Sequence, residues 1–481
     1  MFNAATSVSD SLPANHLGEI LMRQREAFIK SQPSNIQQRK ANLKKLKAAI
    51  LSNRERLKFA VNEDFGHRSL HETDILELFG IIQSIDYMIK NLSTFMKRER
   101  RHVGLFFQSG RAYVDYQPKG VIGIMAPWNY PLSLTLIPLA TALAAGNRAM
   151  VKPSELTPRT SDAIKRLVEQ CFEESEVAVT LGGPELGAAF SGLPFDHLLF
   201  TGSTQVGHKV MRAASENLVP LTLELGGKSP VIMAKGHVND RAVSRLVFGK
   251  LSNGGQTCVA PDYAFIHEQD LEVFISRYSE SVKRFYPEGP TSDDYTSIVN
   301  SNHYKRLNGM LEDARNMGAK TIEVGVKPKR SEQRARTIAP TLVINPGEDT
   351  SIMREEIFGP LLPVKTYRTI QEAIDYINAR PRPLALYYFG NKDSDCDKLL
   401  SNTTSGNVGI NNTLMHVAQD DLPFGGIGPS GMGAYHGIEG FRSMSHAKGV
   451  FEQRHWNFTD LLRAPFGRFA DIALRLTLGK K

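Results

Sequence analysis

The pattern of apolar and polar positions divides the chain into a helical N-terminal part and a longer part of alternating strands and helices. Residues 15–101 contain few Gly or Pro and many Leu, Ile, Lys, Arg and Glu, which predicts two or three amphipathic helices. Further along, short apolar runs recur, such as VIGIMAP at 121–127, and such runs are typical of buried parallel strands.

These apolar runs alternate with segments of helical periodicity, which indicates doubly wound α/β domains. The Gly-rich segment 421–433 is expected to form a structured loop. Helices are predicted up to Ala145 and at 157–171, 204–215, 239–252, 269–285 and 370–379. Strands are predicted at 112–117, 121–127, 149–153, 177–182, 197–203, 221–225, 230–233, 341–345, 361–366 and 385–389.

The composition is that of a globular protein. The 481 residues are 41% hydrophobic and 22% charged, which excludes a disordered, collagen-like or coiled-coil chain. There are 58 Lys and Arg against 50 Asp and Glu, and the net charge of +8 does not require a nucleic-acid partner. The basic cluster at 97–101 is interpreted as a solvated helix face, so no nucleic-acid binding is expected.

The cysteines and the apolar runs bear on the compartment. The chain has three cysteines, Cys171, Cys258 and Cys396. Their odd number and wide spacing argue against a disulfide scaffold and a CxxC-type zinc site. No metal site is expected. The start lacks a signal-peptide pattern, and the longest apolar stretch, 132–146, is interrupted by polar residues and Pro. A cytoplasmic protein is therefore expected.

Two glycine-containing segments follow predicted strands. Gly202 and Ser203 lead into a helix that includes Gly207, and the free N–H groups at such a helix start can bind a phosphate. The spacing departs from the GxGxxG fingerprint, and a tight turn without a ligand explains it equally well. Glu224 ends a strand, where a carboxylate can face the ligand crevice of an α/β sheet or simply lie on the surface.

A cysteine in a loop of Gly and Pro is a candidate nucleophile. Cys258 lies in GGQTCVAP, where backbone N–H donors would lower the thiol pKa and hold an oxyanion. Cys171 follows a helix and Cys396 lies in a polar stretch, so neither is expected to be catalytic. No histidine lies beside Cys258 to suggest a protease-type pair. Glu355 and Glu356 precede an apolar turn. They could belong to the site, or they could simply be a charge pair at the N-terminus of a helix.

Seven motifs occur in a fixed order between about residues 100 and 450, and together they resemble the aldehyde dehydrogenase superfamily. The short N-terminal part and the ending FGGIGPSGMGAYHG resemble its dimeric class 3 branch, and within that branch GLPFDHLLFTGS is similar to coniferyl aldehyde dehydrogenases. The motifs are PWNYP (127–131), KPSE (152–155), FTGSTQVG (200–207), LELGGKSP (223–230), GQTC (255–258), EEIFGP (355–360) and PFGGIGPSGMG (423–433).

The resemblance implies three catalytic roles. Cys258 matches the nucleophile that adds to the aldehyde and forms a thiohemiacetal. Asn129 matches the side-chain amide that holds the oxyanion together with the Cys258 backbone N–H. After hydride loss leaves a thioester, Glu224 matches the base that activates water, and its apolar surroundings are expected to raise its pKa.

The resemblance also implies a nicotinamide cofactor. A carboxylate at Glu155 would repel a 2′-phosphate, which favours NAD, with NADP as the alternative because related members accept both. The matching residues are Lys152 and Glu155 for the adenosine ribose, Gly202, Ser203 and Gly207 for the pyrophosphate, Glu356 for the nicotinamide ribose and Phe358 beside the nicotinamide ring.

Two other functions are compatible with such a fold. A CoA-acylating dehydrogenase or an acyl-phosphate reductase needs no water activation, and such enzymes often lack the base that Glu224 matches. A non-catalytic structural homologue would be marked by loss of Cys258, Asn129 or Glu224, all of which are present. An NAD(P)-dependent dehydrogenase that releases a carboxylic acid is therefore favoured.

The implied fold has two Rossmann-like α/β domains and a small β segment for oligomerisation, and a homodimer is expected. The expected parts are an NAD-binding domain at 1–103 and 120–225, a catalytic domain at 226–404, and a bridging segment with the C-terminal tail at 104–119 and 405–481.

The sequence says less about the substrate and about the C-terminal tail. Aromatic or long-chain aldehydes, coniferyl aldehyde among them, would suit a hydrophobic tunnel, although its candidate residues could also be ordinary core: Trp128, Tyr130, Leu134 and Tyr263. After Trp456 a basic amphipathic helix is expected, and docking on the protein or its dimer mate is favoured over a membrane surface or a lid. Its apolar positions are Phe466, Phe469, Ile472, Ala473 and Leu476, and its basic ones Arg468, Arg475, Lys480 and Lys481.

Overall fold

The structure is a computed structural model, and it describes residues 14–107, 109–326, 334–454 and 457–479. Its helices, in chain order, are α1 (Ala14–Lys30), α2 (Ile36–Ser52), α3 (Arg54–Phe65), α4 (Leu70–Thr73), α5 (Phe79–Phe95), α6 (Ser133–Ala144), α7 (Pro158–Glu169), α8 (Pro184–Ser191), α9 (Thr204–Ser215), α10 (Asp240–Leu251), α11 (Leu271–Phe285), α12 (Ser301–Asn316), α13 (Ser351–Arg354), α14 (Ile370–Asn378), α15 (Ser394–Asn402), α16 (Gly437–Ser443) and α17 (Arg468–Leu478).

The strands form three sheets. In chain order they are β1 (Glu99–Arg101), β2 (Arg111–Pro118), β3 (Val121–Met125), β4 (Arg148–Lys152), β5 (Val177–Val179), β6 (His197–Thr201), β7 (Leu221–Glu224), β8 (Pro230–Met233), β9 (Tyr263–His267), β10 (Lys320–Glu323), β11 (Thr341–Ile344), β12 (Leu361–Tyr367), β13 (Ala385–Phe389), β14 (Asn407–Ile410), β15 (Gly431–Met432) and β16 (Ser445–Glu452).

The first sheet has the order β15-β7-β6-β3-β4-β5 and is parallel except for β15. Alternate residues of β3 enter two different cores. Val121 and Met125 pack in the cluster that contains α1 and α8, whereas Ile122 and Ile124 pack in the one that contains α2, α5, α6 and α7. Because helices cover both faces, the strands are continuous apolar runs instead of alternating ones.

The second sheet has the order β10-β11-β12-β9-β8-β13-β14, and only β10 is antiparallel to its neighbour. The central strand β9 is buried along its whole length. Ala264 and Ile266 face one core with α10 and α11, and Tyr263 and Phe265 face another with α14 and α15. The two large sheets confirm the predicted α/β fold class.

A third sheet, β1-β2-β16, is antiparallel, and β16 pairs with β2 along eight residues. Most of β16 is exposed. Three strands join a sheet other than the one that the expected boundaries imply. β1 precedes residue 104 yet joins the third sheet, whereas β14 and β15 follow residue 404 yet join the second and the first sheet.

Several local predictions were wrong or incomplete. Residues 15–101 form α1 to α5, with a π-helical turn at Asp74–Leu78, instead of two or three helices. The basic cluster at 97–101 lies partly in β1 and is not a helix face. β15, within the Gly-rich segment, pairs with the end of β7. No described helix is long and apolar enough to cross a membrane.

Candidate active site

The parallel strands of the first sheet bring several predicted residues to one edge. Lys152 is the last residue of β4, Glu224 is the last residue of β7, and Asn129 lies between β3 and α6. Met125 is in register with Lys152, and Thr201 with Glu224, so these strands end together. The carboxyl edge of a parallel sheet is where α/β proteins bind ligands.

The Cys258 loop has a tightly specified backbone. It follows a 3-10 turn at Ser252–Gly255, where Asn253, Gly254 and Gly255 have φ of 55°, 60° and 77°. A Cβ at Gly255 would collide with the Gly359 carbonyl, so this position requires glycine. The turn therefore fixes the direction in which the chain approaches the cysteine.

Hydrogen bonds from the second sheet and its loops hold the Cys258 loop on both sides. The Gln256 side chain donates to the Ser297 carbonyl at 3.1 Å and accepts from the Val299 N–H at 2.9 Å. After the cysteine, Tyr387 Oη donates to the Val259 carbonyl at 2.6 Å. The loop is thus fixed two residues before Cys258 and one residue after it.

Asn129 lies against this loop. Its Nδ2 donates to the Gln256 carbonyl at 3.1 Å, and the residue is buried. The neighbouring Tyr130 hydroxyl bonds to Thr257 Oγ1 at 2.7 Å. The structure therefore brings the predicted amide to the segment that carries the predicted nucleophile. Asn129 follows β3 of the first sheet, whereas Cys258 precedes β9 of the second sheet.

Glu224 is buried and both of its carboxylate oxygens lack a hydrogen-bond partner among the described residues. Burial raises the pKa of this carboxyl group well above its usual value. Its charge also acts on Cys258 and Tyr435. A buried carboxyl with no partner is costly for stability, and such groups are concentrated at functional sites.

The Cys258 thiol is less acidic than its loop predicts. Its pKa is raised to about 12, chiefly by burial and to a lesser degree by the charges of Glu356 and Glu224. The N–H groups of Cys258 and Val259 do lower the pKa, as expected, but they are outweighed. The expectation of a lowered pKa is therefore wrong for the ligand-free protein, because burial and two carboxyl groups both disfavour the thiolate.

Glu356 and Phe358 lie on a turn that the second sheet supports. Arg306 donates to the carbonyls of Glu356 and Ile357 at 3.0 and 2.6 Å, and Asp262 accepts from the Ile357 N–H at 2.9 Å. The Phe358 ring meets Trp128 edge-on, with ring centroids 5.4 Å apart. This turn faces the first sheet across the same edge at which Glu224 lies.

The predicted pyrophosphate turn is a well-formed start of a helix. The Ser203 side chain caps α9 by accepting from the Val206 N–H at 3.4 Å, and the Gly202 N–H donates to the Glu224 carbonyl at 3.0 Å. A Cβ at Gly207 would come within 2.8 Å of Leu225, so glycine permits close helix–strand packing. Thr201 Oγ1, just before the turn, is buried without a partner among the described residues.

Lys152 ends β4 and Glu155 follows it, at the same edge of the first sheet as the turn after β6. The Lys152 ammonium lies 3.1 Å from the Glu155 carboxylate, and only the glutamate is exposed. Three features of this edge fit a nicotinamide dinucleotide: the free N–H groups at the start of α9, the lysine with its exposed carboxylate, and the buried Thr201 hydroxyl that has no partner among the described residues. A cavity of about 560 Å³ borders Glu356 and Gly226 on the other side.

Two of the proposed tunnel residues have different surroundings. Trp128 is half-buried beside Phe358 and His303, whereas Tyr263 is buried in β9 and packs against Phe265 and Tyr376. The core interpretation therefore applies to Tyr263. Among the described residues, no group of three or more His, Cys, Asp or Glu is arranged to hold a metal ion.

Several residues that support the site carry no catalytic or cofactor role in the motifs. Gln256 belongs to the GQTC motif, and Asn253 lies just before it. Arg68, from the loop between α3 and α4, and Glu77, from the π-helical turn, reach the turn that carries Asn129. Asn253, with its φ of 55°, was detectable as an Asn before two glycines, but nothing in the sequence indicated the N-terminal pair.

The sequence motifs, the α/β fold and the position of the motif residues at the carboxyl edge of the first sheet point to one class of protein. The model of the aldehyde dehydrogenase family matches residues 11–450, and the chain belongs to this family. It is accordingly an enzyme that oxidises aldehydes with a nicotinamide cofactor. The resemblance inferred from the motifs is confirmed.

Individual relatives agree with this assignment. The chain is 46% identical to the "Probable coniferyl aldehyde dehydrogenase" of Caulobacter vibrioides over 97% of both chains, and 44% identical to the coniferyl aldehyde dehydrogenase of Pseudomonas sp. over 94% of both. The substrate-bound structure of Staphylococcus aureus AldH superposes with a TM-score of 0.88 at 38% identity, covering 95% of this chain and 99% of the other.

Proposed function

We propose that this enzyme oxidises aromatic aldehydes, coniferyl aldehyde among them, to carboxylic acids with NAD. The observation that carries the proposal is the unpartnered buried carboxyl of Glu224, whose charge acts on the Cys258 thiol. An aldehyde dehydrogenase that releases an acid needs a nucleophile and a separate base for water, and this pair supplies both.

The first half-reaction uses Cys258 and Asn129. The Cys258 thiol releases its proton to solvent, the sulfur forms a bond to the aldehyde carbon, and the electron pair of the C=O π bond moves to the oxygen, which gives a thiohemiacetal oxyanion. The Asn129 amide and the Cys258 N–H donate to this oxyanion, and one such donor is typically worth ~3 kcal/mol. Loss of hydride from the tetrahedral carbon then leaves a thioester on Cys258.

The second half-reaction uses Glu224. Its carboxylate takes a proton from water, which attacks the thioester carbon and releases the carboxylic acid and the Cys258 sulfur. The raised pKa of Glu224 suits this role because a base is most effective when its pKa lies near the working pH. Neither oxygen of Glu224 is engaged by a hydrogen bond from the described residues, so both can accept one from the water.

The cofactor, when bound, supplies the hydride acceptor. Lys152 and Glu155 would hold the adenosine ribose, while Gly202, Ser203 and Gly207 form the turn for the pyrophosphate. Glu356 would hold the nicotinamide ribose, with Phe358 beside the ring. The exposed carboxylate of Glu155 would repel a 2′-phosphate, which supports NAD over NADP.

Two alternatives on the same fold receive less support. A CoA-acylating enzyme or an acyl-phosphate reductase would transfer the acyl group to a thiol or a phosphate and would need no base for water. A buried, unpartnered Glu224 has a cost in stability that such a reaction does not explain. A non-catalytic homologue would not need to retain Cys258, Asn129 and Glu224 around one edge.

A homodimer is also proposed. β16 is largely exposed, and Phe107 and Phe451 at its end are 46% and 50% exposed while packing edge-on against each other. An exposed strand with exposed aromatic neighbours is a natural surface for a second copy. Light scattering would test this by giving the mass of two chains, whereas the mass of one would contradict it.

The experiment for the activity is a panel of aldehydes assayed by NADH formation. Coniferyl aldehyde and benzaldehyde should have higher kcat/KM than acetaldehyde, since each buried CH₂ group contributes about 0.8 kcal/mol. The product should be the free acid without added CoA or phosphate. Turnover that requires CoA or phosphate would contradict acid release, and a preference for acetaldehyde would contradict the substrate class.

A further inference from the structure

A buried ion pair lies directly behind the turn that carries Asn129. Arg68 Nη1 donates to Glu77 Oε1 at 2.8 Å, and both side chains are 0% exposed. The same Nη1 donates to the main-chain carbonyl of Asn129 at 3.3 Å. The guanidinium also lies over the ring of Tyr130, 5.0 Å from its centroid. Arg68 thus contacts two successive residues of the turn.

Glu77 holds the other end of the same turn. Its second carboxylate oxygen accepts from the N–H groups of Leu132 and Ser133, at 2.8 and 3.0 Å. These donors lie at the start of α6, where unpaired N–H groups favour a negative charge. The Arg68–Glu77 pair therefore fixes the segment from Asn129 to Ser133 from both sides.

Glu72 reaches the Cys258 loop from the same helical region. Its Oε1 accepts from the Asn253 N–H at 2.7 Å, and its Oε2 lies 3.8 Å from Arg68 Nε. Asn253 Nδ2 in turn donates to the Asn129 carbonyl at 2.8 Å and to the Gln256 carbonyl at 3.1 Å. Glu72 and Arg68 thus hold two neighbouring segments through one cluster.

These bonds close a ring around the catalytic amide. The Asn129 carbonyl accepts from Asn253 and Arg68, and the Asn129 side chain donates to the Gln256 carbonyl, which also accepts from Asn253. The peptide plane and the amide of Asn129 are therefore each tied down. Arg68, which lies in the loop between α3 and α4, contributes one of these hydrogen bonds from the N-terminal helical region.

We propose that Arg68, Glu72 and Glu77 are positioning residues that aim the Asn129 amide at the oxyanion formed on Cys258. The inference rests on the proposed function, because it assumes that Asn129 is the oxyanion donor. A displacement of about 1 Å in such a donor can cost about 10²-fold in rate. The cluster does not touch the substrate and acts through the direction of Asn129.

The test is a double-mutant cycle with Arg68→Lys and Asn129→Ala, measured by the pre-steady-state burst of NADH in the NAD-bound enzyme. Lysine keeps the charge beside Glu77 but lacks the planar group that also reaches the Asn129 carbonyl. Arg68→Lys should slow the burst at least about 10-fold, with little change in KM for NAD. Asn129→Ala should slow it by about 10² to 10³-fold.

The decisive measurement is the effect of Arg68→Lys in the Asn129→Ala background. If Arg68 acts through Asn129, the burst of the double variant equals that of Asn129→Ala alone. Equal losses in both backgrounds, or no loss from Arg68→Lys in the parent, would overturn the proposal. An unchanged burst in Asn129→Ala alone would instead overturn the role of Asn129, and the inference with it.

A matched control separates positioning from general stability. Arg39 is also buried and donates to a main-chain carbonyl, that of Ala144 at 3.2 Å, but it lies in α2 and contacts the C-terminal end of α6 instead of the Asn129 turn. Arg39→Lys should leave the burst unchanged. If Arg68→Lys does not fold, Glu72→Gln replaces it in the cycle, because glutamine keeps an oxygen that can accept from the Asn253 N–H. Glu72→Gln should slow the burst less than Arg68→Lys does. This slowing should again be absent in the Asn129→Ala background.

Discussion

Glu356 accepts a hydrogen bond from the Gly227 N–H at 3.1 Å, which joins the turn between α13 and β12 to the segment that follows Glu224. A Cβ at Gly226 would collide with the same carboxylate, so glycine is required there. Burial raises the pKa of Glu356 to about 8. The contact brings a second titratable carboxyl into the field of Cys258.

The first prediction concerns this carboxyl and the thiol. Above a pH of about 8 Glu356 becomes charged and opposes the Cys258 thiolate, so Glu356→Gln should lower the pKa of Cys258 below about 12. Because the thiolate is the reactive form, iodoacetamide should alkylate the ligand-free variant faster than the parent between pH 9 and 10, by about 3-fold or more.

The control for this prediction is the exposed neighbour Glu355, whose main-chain carbonyl, and not its side chain, accepts from Lys228 at 2.8 Å. Glu355→Gln should leave the alkylation rate unchanged. A variant at Glu356 that reacts no faster than the parent would show that its charge does not reach the thiol.

The second prediction separates Cys258 from the other cysteines. Cys258→Ala should abolish aldehyde oxidation and leave NAD binding intact, because the thiohemiacetal needs the sulfur. Cys171 and Cys396 are buried in hydrophobic cores outside the Cys258 loop, so their Ala variants should keep turnover while losing some stability. Turnover of Cys258→Ala near the parent rate would refute the nucleophile assignment.

The third prediction separates the two half-reactions. Glu224→Gln should keep a single-turnover burst of NADH while the steady-state rate falls by about 10²-fold or more, since only thioester hydrolysis needs the base. In the parent, the steady-state rate should rise with pH as Glu224, whose pKa is raised, loses its proton. The variant should lack this dependence, and a parent-like rate would exclude the role.

The fourth prediction addresses the cofactor. Glu155→Gln removes the carboxylate that lies 3.1 Å from Lys152 and leaves the lysine free to attract a phosphate. The KM for NADP should fall by about 10-fold relative to that for NAD, since one unit of charge repulsion is removed. Kinetics with both cofactors measure this. The charge-preserving Glu155→Asp should retain the preference for NAD, and equal ratios in all three proteins would contradict the argument.

The fifth prediction concerns the tail. In α17 only Ala470 is buried, whereas Ile472 and Leu476 of the predicted apolar face are 56% and 82% exposed. Docking on the body of the same chain therefore leaves most of that face uncovered. Lys480, Lys481 and Trp456 lie outside the described residues.

Truncation after Trp456 distinguishes the remaining options for this helix. If α17 covers a dimer mate, the truncated protein should lose dimer mass in light scattering and melt several degrees lower. Loss of vesicle co-sedimentation with unchanged melting would indicate a membrane surface, and a changed KM for large aldehydes alone would indicate a lid. If none of these properties changes, all three ideas are wrong.

Part of the fold and site followed from local sequence. The strands β3, β4, β6 and β7 were predicted within two residues, because apolar runs bounded by Gly, Pro or polar residues leave little choice of position. Parallel strands connected by helices end at one edge of their sheet, so residues at their carboxyl ends share that edge. Lys152 and Glu224 lie on that edge as the chain order dictates.

Other elements left too weak a local signal. β9 was missed although it is central in the second sheet, because YAFIH directly follows the cysteine loop without a distinct turn. α12 is largely polar, and only Leu307, Met310, Leu311 and Ala314 are buried. Its helical spacing is clear once these four positions are known, but its polar residues conceal it in the sequence.

By itself the sequence determined the α/β class, the order of the motifs and the family, because these depend on residue type and on short-range pattern. Only the tertiary structure decided the electrostatics and the support of the site. Arg68 meets Asn129 across 61 residues, and Glu356 meets Gly227 across 129. The thiol pKa was mispredicted for the same reason: burial and carboxyl groups from distant segments outweigh the neighbouring N–H donors.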